Sequence, residues 1–416
     1  MIKKIWIFQT GEPLHFDKIK MRPMRAMNLA NNLLDKNCLV TIWTSNFSHQ
    51  FKEKRFRYGS IKKYRNLTIR YIDSTGYSKN IGFARLIDHF FLGANLFIAL
   101  LREKENPHVA FVGFPPIEFS FFASFWLKWK KIPFVLDVKD QWPDIFISNL
   151  PPYLKKIFKI VLYPYFILSI YSMKNATALC SMSDSYIKWV YQFANINKNK
   201  LAISVPLSSN SFNIKLSKIL IRNYLNKLNI LDDKKIKILF IGSLSQIFDF
   251  ETIMKCLILG KKRNIQMQFI ICGMGYQEEK LKKLAIKYDL DIVFLGWVSI
   301  EEIFALSTVS TIAIAPYKNN KDFLNSIPNK ISDYLSLGLP IFSPLGGMVK
   351  KLIETKNAGV FYKQADYNDL FDKLVYLSKN KKDWSVIRKN NKETFSKDFD
   401  SNFAYNKLSN FLMELI

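Results

Sequence analysis

The chain has 416 residues, of which 49% are hydrophobic, and a formal net charge of +27. A single hydrophobic core stops growing at about 250–300 residues, so this length predicts two domains, each with a core of its own. The four cysteines are scattered without a Cys-x-x-Cys pair, which argues against a disulfide framework or thiolate metal site and indicates a reducing, cytoplasmic environment.

The positive charge is concentrated in the first half of the chain. Residues 1–200 carry 30 Lys and Arg against 13 Asp and Glu, whereas residues 201–416 carry 31 against 21. This excess suits a surface that meets anionic lipid headgroups, nucleic acid or phosphorylated substrates. The alternative explanation of the charge is compositional drift toward lysine. The many aromatic residues favour an interfacial surface as a further contribution.

The first half alternates between short apolar runs and helix-length segments. A helix is predicted at residues 22–36, and strands at 3–9, 38–44, 68–72, 109–113, 133–137 and 178–181. Such alternation predicts a parallel, doubly wound sheet that binds ligands at the carboxyl ends of its strands. The polar stretch 195–215 is the predicted interdomain linker.

A second alternation of strands and helices begins at residue 236. Strands are predicted at 236–241, 268–272, 292–295 and 311–315, with helices at 250–262, 278–288 and 300–307. We therefore predict domains at 1–205 and 206–399. The final helix, at 400–416, has one apolar side and is predicted to pack back on the first domain.

No segment is predicted to span a membrane or to act as a signal peptide. Residues 109–127 are divided by Pro115, Pro116 and Glu118, and the uncharged run 160–173 is too short to cross a bilayer. That run is flanked by Lys155, Lys156, Lys159 and Lys174. It is either a core helix or a segment that lies among lipid headgroups.

A short helix motif follows the strand at 311–315. Pro328 opens the helix, Asp333 lies inside it, and Gly338 and Pro340 end it. The amino end of such a helix attracts anions, so a nucleotide diphosphate is the expected ligand and Asp333 a partner for sugar hydroxyls.

This motif resembles the donor-binding signature of family 4 retaining glycosyltransferases, which have the GT-B fold. The resemblance rests on residues 328–334 (PNKISDY), 269–281 (FIICGMGYQEEKL) and 293–298 (VFLGWV). In the first half, residues 10–14 (TGEPL) and 137–144 (DVKDQWPD) are similar to the branch that builds bacterial O-antigen and capsule sugars. It implies an α/β fold of two doubly wound, Rossmann-like domains facing a cleft.

The resemblance also implies roles for individual residues. Lys139 and Asp140 would be catalytic, the lysine offsetting charge near the leaving phosphate and the aspartate orienting the acceptor hydroxyl. The donor would be bound by Gly11, Gly242, Ser243, Gly273, Trp297, Asn325, Lys330 and Asp333. A cationic loop would bind an acceptor that carries a diphosphate, through His15, Lys18, Arg22 and Arg25.

Some positions depart from the expected patterns. Asn325 stands where the family signature has its first acidic residue, and an amide cannot stabilise positive charge at an anomeric carbon. Glu278 replaces the third glycine of a dinucleotide-binding fingerprint, which argues against an oxidoreductase. Asp289 and Asp291 resemble a metal-binding Asp-x-Asp pair but precede a strand, away from the ligand edge. We therefore expect no metal and no cofactor.

The resemblance implies a glycosyltransferase that moves a sugar from a nucleotide diphosphate donor, by family default a UDP-sugar, to a polyprenyl-diphosphate-linked saccharide in lipopolysaccharide O-antigen or capsule synthesis. It would work as a peripheral protein at the inner face of the bacterial cytoplasmic membrane. Two alternatives remain: a nonhydrolysing nucleotide-sugar epimerase of the same fold, and a basic nucleic-acid-binding protein. No nucleic-acid-binding module accompanies the charge, so nucleic acid is not an expected partner.

Overall fold

The protein divides into two compact units in a computed structural model. The structure describes residues 2–14, 16–17, 23–55, 61–79, 82–148, 150–208, 214, 216–231 and 234–416. Unit 1 comprises Met1–Pro206 and Ala404–Ile416, and unit 2 comprises Leu207–Phe403. These boundaries lie one and four residues from the predicted ones.

Unit 1 is built on an eight-stranded sheet with the order β10-β9-β8-β7-β1-β2-β6-β5, in which only β5 runs antiparallel to its neighbour. A separate two-stranded hairpin is formed by β3 and β4. The strands of the unit are β1 (Lys4–Phe8), β2 (Leu39–Ser45), β3 (Phe47–Ser48), β4 (Glu53–Lys54), β5 (Ile61–Tyr64), β6 (Leu67–Ile72), β7 (Val109–Phe114), β8 (Phe134–Val138), β9 (Ala178–Ser181) and β10 (Ala202–Ser204).

Both faces of this sheet are buried. Successive side chains of each strand point to opposite faces and therefore join different core clusters. Ile5 and Ile7 of β1 belong to one core cluster, while Trp6 and Phe8 belong to the other. The helices of unit 1 are α1 (Arg25–Asp35), α2 (Phe83–Arg102), α3 (Ile117–Trp129), α4 (Asp144–Ser148), α5 (Pro152–Val161), α6 (Tyr163–Asn175) and α7 (Asp184–Phe193). Helix α1 covers the Ile5 face, and α2, α3 and α6 cover the Trp6 face.

Unit 2 is built on a six-stranded, all-parallel sheet with the order β13-β12-β11-β14-β15-β16. Its strands are β11 (Ile236–Ile241), β12 (Met267–Cys272), β13 (Ile292–Gly296), β14 (Ile312–Ile314), β15 (Ile341–Ser343) and β16 (Gly359–Phe361). Its helices are α8 (Lys218–Lys227), α9 (Phe250–Lys262), α10 (Glu278–Tyr288), α11 (Ile300–Val309), α12 (Lys321–Leu324), α13 (Asn329–Ser336), α14 (Gly347–Lys356), α15 (Tyr367–Lys379) and α16 (Lys381–Thr394). Helix ends are marked by side chains, as where Asp249 accepts from the backbone N–H of Thr252 at the start of α9.

The last helix, α17 (Ser401–Met413), contributes to the core of unit 1. Ala404, Tyr405, Leu408 and Leu412 join the cluster that contains Ile5 and Ile7. The Nζ of Lys36, at the end of α1, donates to the hydroxyl of Ser409 at 2.6 Å. The chain therefore leaves unit 1 near residue 206 and returns to it at the end.

Two predictions about the first half are wrong. The predicted linker 195–215 contains β10, which pairs with β9 and completes the sheet. The prediction that no segment could span a bilayer fails for α2, because this helix is long enough and apolar enough to cross one. About a third of its apolar stretch is buried inside the protein. Helices α5 and α6 would pass the same test together, but the chain bends by 69° between them.

Candidate active site

A pocket in unit 1 opens where the strand order reverses. The chain passes from β1 to β2 on one side and returns to β7 on the other, and ligands of doubly wound sheets bind at such a switch point, beyond the carboxyl ends of the strands. The cavity measures about 170 Å³, and its wall includes Thr10, Gly11, Lys139 and Asp140 from the loops after β1 and β8. Gly11, Lys139 and Asp140, which were predicted from the sequence to be functional, thus lie together.

The loop after β1 is held in place by one partly buried ion pair and one hydrogen bond, both made by Glu12. Gly11 has a φ of +73°, a left-handed conformation that favours glycine. Lys139 Nζ lies 3.2 Å from Glu12 Oε1, and Glu12 Oε2 accepts from the backbone N–H of Ala26 at 2.8 Å. The ion pair of Lys139 is therefore made with Glu12, which the sequence analysis did not include in the site.

Arg25 does not fit its predicted role in acceptor binding. It is 3% exposed, and its Nε and Nη2 donate to the two carboxylate oxygens of Asp137 at 2.7 and 2.8 Å. Its Nη1 donates to the carbonyl oxygen of Val205 at 2.9 Å. This pair fastens α1 to β8 and to the end of the sheet, and breaking a buried pair of this kind costs about 3–5 kcal/mol. The other predicted acceptor residues, His15, Lys18 and Arg22, lie outside the described residues.

Five other pocket residues were given no role in the sequence analysis, although one of them, Trp142, lies in the run 137–144 quoted there: His49, Tyr77, Arg85, His89 and Trp142. They come from four separate places in the chain, so no motif connects them. The ring nitrogen Nδ1 of His49 lies 2.6 Å from the hydroxyl of Tyr77. Burial and the nearby cations lower the pKa of His49 and of His89 to about 4, so both imidazoles are neutral at physiological pH.

In unit 2, glycines shape the carboxyl edge of the sheet. Gly242 follows β11, and Gly273 follows β12 and forms an isolated bridge with Gly296. A Cβ added at Gly273 would run into the carbonyl oxygen of Gly242, and one added at Gly242 would run into the Nζ of Lys330. Only glycine leaves room for this close approach of two loops and one lysine.

Lys330 is the cation at this edge. It lies in the first turn of α13, is 8% exposed, and its Nζ donates to the carbonyl oxygen of Ile241 and lies 4.1 Å from the ring centre of Phe240. Burial lowers its pKa to about 7, and the charge of Asp333 acts in the opposite direction. The protonated fraction of this lysine therefore responds to an arriving anion near neutral pH.

Asp333 lies about one turn beyond Lys330 and is half-buried. The next residue, Tyr334, fixes this part of α13 because its hydroxyl accepts from Ile241 N and donates to the Ile314 carbonyl, both at 3.1 Å. Asn325 lies half-buried ahead of α13. Ser243 is exposed after Gly242, and Trp297 is 78% exposed after β13. All of the predicted donor-binding residues of unit 2 therefore lie on the loops and the helix that follow its strands.

The Asp289 and Asp291 pair lies at the opposite, amino edge of the sheet. Asp289 pairs with Lys261 at 2.7 Å and Asp291 with Lys235 at 2.9 Å, both near the surface. Among the described residues, no group of three or more His, Cys, Asp or Glu side chains could hold a metal ion. Metal independence stays a prediction.

One family model matches a part of this chain. Residues 223–394, which lie within unit 2, match the family model described as "Glycosyl transferases group 1". A search of curated protein sequences finds no match.

Similar solved structures span the whole chain. Sucrose-phosphate synthase from Thermosynechococcus elongatus has 12% identity and a TM-score of 0.71, with 99% of both chains covered. Anabaena Alr3699/HepE in complex with UDP has 12% identity and a TM-score of 0.67, with 99% of this chain and 100% of the other covered. WaaG, a glycosyltransferase involved in lipopolysaccharide biosynthesis, has 10% identity and a TM-score of 0.65, with 98% and 99% covered. At these identities the likeness establishes the fold, and the predicted α/β architecture with two doubly wound units is confirmed.

Proposed function

We propose that this chain, whose second unit carries a glycosyl transferases group 1 domain, is a retaining glycosyltransferase that uses a nucleotide diphosphate sugar. The observation that carries the proposal is the carboxyl edge of unit 2, where Lys330, Asp333 and the loops at Gly242 and Gly273 lie within the matched domain. Two solved structures of similar fold contain UDP or UDP-glucose, which supports a UDP-sugar donor.

In the proposed reaction an acceptor hydroxyl oxygen forms a bond to the anomeric carbon as the bond from that carbon to the diphosphate breaks. The diphosphate leaves with the bonding electrons, and one of its oxygens takes the hydroxyl proton. Lys330 offsets the charge that develops on the diphosphate, and backbone N–H groups of the glycine loops add to this electrostatic stabilisation. Asp333 accepts hydrogen bonds from the hydroxyls of the donor sugar.

A nucleoside diphosphate should stabilise the protein without added metal. At 100 times the dissociation constant, UDP is expected to add about 2.7 kcal/mol to the free energy of unfolding, because it binds the folded chain only. Thermal melting with and without UDP, after exhaustive chelation, measures this. Stabilisation that appears only when Mg²⁺ or Mn²⁺ is restored would contradict metal independence, and no stabilisation under either condition would contradict the donor site.

The affinity for UDP should fall as the pH rises above 7. The pKa of Lys330 is about 7 in the empty protein, and a bound diphosphate favours the protonated form and raises it. Above pH 7 binding must then take up a proton, so the dissociation constant rises by up to about tenfold per pH unit until the pKa of the complex is reached. Titration calorimetry of the wild type and of Lys330→Met between pH 6.5 and 9 measures this. An equal slope in both proteins would exclude Lys330 as the source.

We also propose that the acceptor is a lipid-linked saccharide of O-antigen or capsule synthesis and that unit 1 docks on the inner face of the cytoplasmic membrane. Helix α5 supports this because it buries none of its residues. Tyr153, Leu154, Ile157, Phe158 and Val161 recur at helical spacing on one side, and Lys155, Lys156 and Lys159 lie between them on the other. A helix of this pattern suits the headgroup region of an anionic bilayer.

The neighbouring helices extend the apolar surface. Helices α2, α3 and α6 pack side by side, and their rings touch across the layer, with centroids 5.5 Å apart for Phe97 and Phe122 and 5.2 Å for Phe121 and Tyr171. The layer also exposes large apolar side chains to solvent, among them Phe83, Ile87, Phe90, Phe91, Phe125 and Trp129. Exposed apolar patches of this kind mark protein or membrane contact sites, and the lysines of α5 favour an anionic membrane.

A further inference from the structure

We propose that the pocket of unit 1 binds an anionic group of the acceptor, a phosphate or a carboxylate, with Arg85 as its principal cation. This inference rests on the proposed function because it names a chemical feature of the acceptor in that reaction. It assigns a site to five residues that the sequence analysis gave no role: His49, Tyr77, Arg85, His89 and Trp142. It also replaces Arg25, which is held by Asp137.

Arg85 lies between two aromatic rings. The carbon at the centre of its guanidinium group is 5.6 Å from the ring centre of Tyr77 and 5.2 Å from that of Trp142. A second cation, Lys52, lies 4.6 Å from the Tyr77 ring centre, and Lys139 is part of the pocket wall. A guanidinium group fixed by aromatic rings presents its planar set of donors in one orientation, which matches the oxygens of a phosphate or carboxylate.

His89 adds an unused donor. It is 4% exposed, and its Nε2 accepts from Arg85 Nε at 3.4 Å, so the proton of the neutral ring is on Nδ1. This Nδ1 is buried and finds no hydrogen-bond partner among the described residues. A buried donor without an acceptor costs roughly as much as a lost hydrogen bond, and an oxygen-rich ligand in the pocket would supply the acceptor.

Two acidic residues, Asp88 and Asp140, line the pocket. Asp88 is 2% exposed, and its Oδ1 already accepts from Thr75 Oγ1 at 3.1 Å, from Gly76 N at 2.6 Å and from the hydroxyl of Ser74. Asp140 is exposed at the rim.

The cavity of about 170 Å³ is smaller than the roughly 300–1,000 Å³ of sites for whole drug-sized ligands, so it suits one charged group and not a complete nucleotide.

Histidine NMR offers a local test because the chain has only four histidines. We would titrate full-length protein carrying Lys330→Met, which weakens the diphosphate site of unit 2, with inorganic pyrophosphate, glucuronate or glucose. The pyrophosphate and glucuronate arms distinguish a phosphate of the lipid link from a carboxylate on the acceptor sugar. His108 is the internal control, because its Nδ1 accepts from Lys4 N before the start of β7, away from the pocket.

The expected result is that at least one anion shifts the signals of His49 and His89 and leaves that of His108 unchanged. Bound anion should also raise the pKa of both rings from about 4, since it offsets the charge of Arg85 and Lys52. Arg85→Gln should weaken this binding about tenfold or more, whereas Arg102→Gln, at the other end of α2, should leave it unchanged.

Three results would overturn the inference: no shift of His49 and His89 with either anion, an equal shift of His108, or an equal response to neutral glucose. The proposed function is tested separately by the stabilisation of the wild type by UDP. If UDP stabilises the protein and the histidine signals do not move, the anion site is wrong and the donor site stands. If the histidine signals move and UDP has no effect, the pocket binds anions but the proposed reaction fails.

Discussion

Replacing Lys155, Lys156 and Lys159 with glutamate should release the protein from anionic vesicles. Each lysine near an anionic surface contributes about 1 kcal/mol, so the loss of three corresponds to a fall of about a hundredfold or more in partitioning, and the added negative charges increase it. Flotation with vesicles that contain phosphatidylglycerol measures the bound fraction. Binding of the wild type should also weaken steeply with salt, because the Debye length is only about 8 Å at physiological ionic strength.

A matched control comes from unit 2. Lys280, Lys283 and Lys287 are also exposed on one helix, α10, and their replacement by glutamate changes the net charge by the same amount. If both triple variants lose binding equally, the effect is one of overall charge and the assignment of α5 fails. If the wild-type protein does not bind anionic vesicles even at low salt, the proposed membrane docking loses its main support.

The apolar side of α5 should contribute a part of the binding that salt does not screen. Ile157→Ser with Phe158→Ser removes two exposed apolar side chains, and each full burial of such a side chain is worth about 1.5–3 kcal/mol. The lysines would remain in place, so binding should become weaker and more sensitive to salt. Unchanged partitioning of this variant would show that only charge attracts the protein to the vesicle.

Asp333→Ala should damage the use of the donor far more than Asp289→Ala. Asp333 lies on α13 within a turn of Lys330, and in the proposed donor site it accepts hydrogen bonds from the donor hydroxyls. Loss of a hydrogen bond to a charged group costs about 1.5–3 kcal/mol, which is tenfold or more in affinity. Binding of the UDP-sugar by calorimetry, and transfer rates once an acceptor is identified, measure the difference.

Asp289→Ala serves as the matched control. Its side chain is 95% exposed and pairs with Lys261 on the surface, so its loss should leave donor binding unchanged. Thermal melting of both variants separates a folding defect from a binding defect. Equal effects of the two substitutions on donor binding would remove Asp333 from the proposed site.

The positions of the regular elements were predictable where the local signals were strong. Helices α9 and α10 begin and end at the predicted residues, and most strands differ from their predicted bounds by a residue or two. Parallel strands buried on both faces are continuous apolar runs, and acidic or polar residues mark where the helices begin. In β10 these signals are weak, because three residues in a polar stretch are a strand only through pairing with β9.

Local patterns were enough to predict the two-unit α/β plan and the helix motif of α13, because periodicity, capping residues and glycine positions act over a few neighbouring residues. Which side chains meet could be seen only in the folded protein. Arg25 looked like a ligand residue of a basic loop, yet it is buried against Asp137, which lies 112 positions along the chain. The pocket residues His49, Tyr77, Arg85 and Trp142 come together because parallel strands bring distant loops to one edge of a sheet. Contacts of this kind depend on the strand order, which no local pattern in the sequence records.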